Sequence, residues 1–218
     1  MRIILIMLLL VPVRVFTQDI SRQQDAAAEP VLQKLSADFN QEKAYQVEFK
    51  YEVYSSMEDA KVSDYGSVIV EGPNYKLKTE DTEVYYNGKY LWTYNILNEE
   101  VYKSEPVESS QDQLLVVPFR VFTEYKKYFK YQYKGESELG GAKLNETELY
   151  PVDLNSGITM IELYTQKKSH ELFAIAIKQK DGLILTIFIQ EIIRNIKVSD
   201  DTFTWNESTH PDVLLIEM

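Results

Sequence analysis

The chain has 218 residues, 44% hydrophobic and 26% charged, a balance that excludes intrinsic disorder and permits one sizeable core. A formal charge of −11 argues against nucleic acid as a partner and sets long-range repulsion against anionic lipid surfaces. The absence of cysteine excludes disulfides and thiol nucleophiles, and it leaves no residue that could carry a lipoprotein anchor, so a soluble protein held together by packing is expected.

Residues 1–17, "MRIILIMLLLVPVRVFT", begin with Arg2 and an apolar run from Ile3 to Leu10 that is too short to span a bilayer. They read as a signal peptide, with Val15 and Thr17 small enough to precede cleavage at Gln18. The remaining 18–218 form a single domain of charge −13 once Arg2 and Arg14 are removed. After a polar, Ala-rich leader, "EPVLQKLSADFNQ" places Val31, Leu32, Leu35 and Phe39 on one helical face. Pro30 fits the first turn, so a helix is predicted over 30–40.

In "YQVEFKYEV", Tyr45, Val47, Phe49, Tyr51 and Val53 alternate with Gln46, Glu48, Lys50 and Glu52, which predicts a strand with one buried face. "YGSVIVEG" and "YKLKTE" are strands on either side of Gly72-Pro73. "TEVYYNGKYLWTYN" is a hairpin, with Asn87-Gly88 expected to form a type I′ turn. "EVYKSE" follows as another strand. The period then changes: Leu115, Phe119 and Phe122 recur at helical spacing, with Pro118 as a break, so a short helix and a second one over about 118–128 are predicted. A helical insert in a meandering sheet is a candidate lid carried by these three residues. Strands resume at "KYQYKG", "AKLNETELYP", "ITMIELYTQ", "ELFAIAIKQ" and "LILTIFIQEII", and a tail of short extended pieces closes the chain. The count is 10–11 strands. Short connections make the sheet mostly antiparallel, and the class is α+β.

No motif for catalysis emerges. His170 and His210 lack metal-ligand spacing, and there is no nucleophile elbow, P-loop or dinucleotide fingerprint. The acidic pairs Glu58-Asp59, Glu80-Asp81, Glu99-Glu100 and Asp200-Asp201 all sit near turn signals, as solvated turn residues do. Asn145-Glu146-Thr147 and Asn206-Glu207-Ser208 match the N-glycosylation pattern, which matters only in a eukaryotic secretory pathway. Neither an enzyme nor a cofactor is expected. What remains is apolar strand surface: Val47, Phe49, Tyr51, Val68, Val70, Leu77, Tyr90, Trp92, Ile161, Leu163, Ile175, Ile177 and Ile187. These residues fit either an ordinary core filled by helices or a curved sheet and helical lid around a cavity for an apolar ligand.

"YNGKYLWTYN" resembles the D-G-K-x-L-W-x-Y hairpin of the LolA-type outer-membrane lipoprotein carriers. "DYGSVIVEGPNYKLK", "VPFRVFTEYKKYFKY", "LYPVDLNSGITMIELY" and "NIKVSDDTFTW" resemble further segments of that family in the same order, so the likeness covers roughly 30–215. The resemblance implies an open, incomplete antiparallel β-barrel with a helical lid over an apolar cavity lined by the thirteen residues just named. It also implies a monomeric periplasmic chaperone that takes acylated lipoproteins from an inner-membrane ABC-type releasing complex to an outer-membrane acceptor. An envelope-stress sensor on the same fold is the alternative, and an acidic secreted hydrolase a more distant one. One departure stands out: the family often has an Arg immediately before the Pro of the second-strand turn, helping to hold the lid, where this chain has Gly72.

Overall fold

The computed structural model describes residues 24–40, 44–105, 119, 121–199 and 201–218. The expected signal segment, Leu115 and the helix expected ahead of Pro118 lie outside them. Helix α1 (Glu29–Asn40) leads into a meander of β1 (Tyr45–Ser55), β2 (Ala60–Glu71), β3 (Asn74–Lys78), β4 (Thr82–Tyr86), β5 (Leu91–Asn95) and β6 (Glu100–Ser104). Helix α2 (Val121–Tyr128) then starts a second meander of β7 (Phe129–Leu139), β8 (Ala142–Pro151), β9 (Ile158–Gln166), β10 (Leu172–Gln179) and β11 (Leu183–Arg194). The tail adds a short 3-10 helix, Glu207–Thr209, and β12 (Leu214–Glu217).

All twelve strands belong to one open sheet in the order β12-β6-β5-β4-β3-β2-β1-β11-β10-β9-β8-β7. The two meanders join at its centre, where β1 pairs with β2 on one side and with β11 on the other, both antiparallel. A register shift between Glu48 and Phe49 leaves Gln190 of β11 unmatched, a bulge of the kind that bends a wide sheet. The count exceeds the 10–11 expected because Leu214–Glu217 adds itself, in parallel, to the β6 edge. Four residues at the end of a chain carry too little periodicity to be read as a strand, and pairing alone makes them one.

Asn87-Gly88 does join two strands, but not through a two-residue turn. Gly88 alone of this pair has positive φ, at +87°. The connection is a four-residue loop that the Asn87 side chain closes by accepting from the amides of Lys89 at 3.1 Å and Tyr90 at 2.9 Å. Asparagine's habit of satisfying its own loop displaced the type I′ geometry here.

One face of the sheet carries the main core. Val31, Leu32, Leu35 and Phe39 of α1, and Val121, Phe122 and Tyr125 of α2, pack there in one cluster with Tyr45, Val47, Phe49 and Tyr51 of β1. This is the predicted amphipathic stripe of α1 laid on the predicted buried face of β1. We call it the inner face.

Candidate functional site

Strand alternation assembles the inner face in rows of directly opposed residues. One row runs Tyr51–Ile187–Ile175–Leu163 across β1, β11, β10 and β9. Another runs Leu77–Val68–Val47 across β3, β2 and β1. Ile177 and Ile161 face each other one step further along β10 and β9. Val47, Leu163, Ile175 and Ile177 are completely buried, and Phe49, Val68, Val70, Ile161 and Ile187 nearly so. Tyr51 and Leu77 are partly buried against the same cluster. Eleven of the thirteen residues singled out in the sequence therefore share this face.

The other two do not. Trp92 pairs with Tyr85 on the opposite, outer face, while Leu91 and Tyr86 take the inner positions. Trp92 sits with Tyr85, Val101 and Trp205, flanked by Tyr90 and Tyr94. The Trp205 ring centroid is 5.7 Å from Tyr85 and 4.8 Å from Tyr94, and His210 stacks on Trp205 at 4.3 Å. β5 is apolar on both faces because the tail covers the outer one, so alternation could not say which face served the interior.

Four aromatic rings connect the two helices to the sheet. Phe39 of α1 lies 4.8 Å from Phe122 of α2 and 5.9 Å from Phe119, centroid to centroid, and Phe119 lies 6.5 Å from Phe49 of β1. Two depressions lie near the register shift of β11, and both reach Gln190. One, of about 590 Å³, is lined by Phe49 and Gly66, by the outward-facing row Glu48, Ser67 and Lys78, and by Asp64, Tyr65, Thr79, Glu80 and Gln190. The other, of about 280 Å³, has a floor of Leu35, Phe39, Leu172, Ile189 and Ile192 and a rim of Asp38, Gln166, Glu171 and Arg194. The larger lies within the usual size range of small-ligand sites. Its rim is acidic: burial raises the pKa of the Tyr51 hydroxyl, and Asp64, Asp81 and Glu80 raise it further.

A polar clasp holds the start of α1. Glu29 accepts from the Tyr131 hydroxyl of β7 and from Gln33 at 3.0 Å, and Lys126 of α2 is 3.6 Å away. The Tyr131 hydrogen bond holds the Glu29 carboxyl below its ordinary pKa of 4.5, burial opposes this, and Gln33 and Lys126 support it. A folded-state value below the unfolded one means that the clasp stabilises the fold above about pH 4.5 and stops doing so as the pH falls through the folded value. Urea midpoints of the wild type and Glu29→Gln are therefore expected to differ at pH 6 and to converge at pH 3.

Gly72 sits at φ +57°, and a Cβ built there would meet nothing within 4 Å. An arginine would be strained at that φ and would begin in open space. Apolar packing, with the four aromatic rings at its centre, and the Glu29 clasp join the helices to the sheet.

A single group of acidic side chains, among the described residues, is close enough to hold a metal: Glu146, Glu148 and Glu162 on the outer face, with carboxylate oxygens within 4.8 Å of one another. Lys178 lies 2.5 Å from Glu162 and Lys134 3.4 Å from Glu148, and the Tyr150 and Tyr164 hydroxyls donate to the same two carboxylates. Those cations and donors compensate part of the charge of the cluster.

The family model for the outer membrane lipoprotein carrier protein LolA matches residues 31–206. The chain belongs to the outer membrane lipoprotein carrier family. No curated protein sequence matches it. Among solved structures, an uncharacterized conserved protein from Thermus thermophilus shares the fold, with a TM-score of 0.52 at 12% identity, covering 88% of this chain and 99% of that one. A DUF1329 family protein from Desulfovibrio piger gives 0.48 at 11% identity, over 84% and 98% of the two chains. A LolA superfamily protein from Nitrosomonas europaea gives 0.46 at 13% identity, over 82% and 97%. The carrier-family fold accounts for the unclosed sheet and its helical cover. Phe39 and Leu35 are wall residues that the sequence marked only as the apolar stripe of a helix.

Proposed function

We propose that the protein is a soluble periplasmic carrier that shelters the acyl chains of lipoproteins between the inner face of the sheet and helices α1 and α2. It would receive them from an inner-membrane ABC-type releasing complex and pass them to an outer-membrane acceptor. The role is binding and transfer, without catalysis, cofactor or nucleic acid. The observation that carries this reading is the largely apolar inner face, which α1 and α2 cover through the rings of Phe39, Phe119 and Phe49, with the 280 Å³ depression opening beside Phe39. Side-chain contacts of this kind are non-directional and can be exchanged for contacts with another apolar body. Each methylene a ligand buries is worth about 0.8 kcal/mol, so even a short stretch of chain competes with ring packing.

The test is recovery of the protein from a periplasmic extract, with mass spectrometry of what accompanies it. An acylated lipoprotein is expected. A fluorescent fatty-acid analogue should also bind the delipidated protein and be displaced by a diacylated lipopeptide. No bound probe and no lipoprotein would overturn the reading. Cross-linked recovery of an anti-sigma factor, in place of transporter subunits, would favour the envelope-stress sensor.

A further inference from the structure

The inner face is not apolar throughout. The row Ile187–Ile175–Leu163 continues onto Thr147 of β8 and then Tyr133 of β7. The neighbouring row runs from Leu172 through Thr165 to Asn145. Thr147 and Thr165 are completely buried, and among the described residues neither hydroxyl has a hydrogen-bond partner. Asn145 is also buried, and its side-chain oxygen accepts from the Tyr133 hydroxyl at 3.0 Å. A buried hydroxyl without a partner costs about 1–3 kcal/mol, and valine would fill the same space without that cost. Two such groups on diagonal positions of adjacent strands, on one face, need a reason.

Their position supplies one. Leu172, directly opposite Thr165, forms part of the floor of the 280 Å³ depression. Ile175, Ile187, Thr165 and Thr147 do not line the depression, so a chain reaches them by displacing the side chains that cover the inner face; lying along Ile175 and Ile187, it would bring whatever is attached to its end over Thr165 and Thr147. A threonine hydroxyl can donate or accept, and the polar atom nearest the end of an acyl chain is the carbonyl oxygen of its ester or amide, an acceptor to which both hydroxyls can donate. We infer that Thr147 and Thr165 form a carbonyl-binding subsite for the ester or amide head of a long-chain acyl group, fixing the direction in which the chain lies. The subsite rests on the carrier reading above and adds a specificity to it. It distinguishes acyl from alkyl chains, which an apolar cavity alone cannot do.

The experiment compares three ligands, each displacing a carbonyl-free fluorescent alkyl probe from the delipidated full chain. They are a diacylated lipopeptide, the same lipopeptide with ether-linked chains, and a diacylglycerol. The wild type should bind the ester lipopeptide roughly tenfold more tightly than its ether analogue, as two added hydrogen bonds would give. The double variant Thr147→Val/Thr165→Val should bind the two equally, at the affinity of the ether form. Its thermal midpoint without ligand should equal or exceed that of the wild type. Tighter binding of lipopeptide than of diacylglycerol identifies lipoprotein as the source of the acyl group, and the reverse identifies free lipid. An unchanged ester preference in the double variant overturns the subsite while leaving the carrier reading intact. So does a clear fall in its ligand-free midpoint, which would mean the hydroxyls are already satisfied. Absence of probe binding to the wild type removes both.

Discussion

Replacing Phe39 by alanine should lower the free energy of unfolding by about 3–5 kcal/mol, the range for deleting a buried phenyl ring. Phe39 is 6% exposed and touches Tyr45, Phe119 and Phe122, so its ring joins α1, α2 and β1 at one point. The surface pair Lys34–Asp38, at 2.6 Å within one helix, adds little by comparison. The space left by the ring would open into the 280 Å³ depression whose wall Phe39 forms. An apolar ligand could occupy it, so bound fatty-acid probe should stabilise the variant more than it stabilises the wild type. Urea unfolding with and without probe measures both effects. A loss below about 1 kcal/mol with unchanged probe binding would show that α1 is seated by its other apolar residues, and Phe39 would not be a wall of the ligand site.

Trp92→Ala should cost a comparable 3–5 kcal/mol, roughly, with a different signature. Trp92 is 6% exposed in the outer cluster that Trp205 and the tail cover. Its loss should loosen the tail first, so amide exchange should rise over Leu214–Glu217, which add to the sheet only along β6. The inner face should not notice, because Leu91 and Tyr86 occupy the corresponding inner positions. Probe affinity is therefore expected to stay within a factor of about two in the folded variant, a change of under half a kcal/mol. A larger drop would bring Trp92 back to the ligand side.

The sequence by itself determined α1, α2 and the first eleven strands, and the buried face of α1 and β1. The alternation of Val47, Phe49 and Tyr51, and the stripe of Leu32, Leu35 and Phe39, are local patterns with periods of two and about 3.6. The structure laid these two sets against each other in one cluster. The family was legible for a related reason: hairpin and strand signatures recur along the chain in a set order. Periodicity shows that a face is covered without showing what covers it, and that was decided in three dimensions. Trp92 reads as cavity lining until the tail, more than a hundred residues further on, places Trp205 beside its neighbour Tyr85. Leu214–Glu217 became a strand only because β6 had a free edge. Thr147 reads as part of a glycosylation pattern and Thr165 as an ordinary strand residue. Each became a buried hydroxyl without a partner when four strands aligned their rows, since satisfaction of a polar group depends on its neighbours in space and on no property of the residue alone.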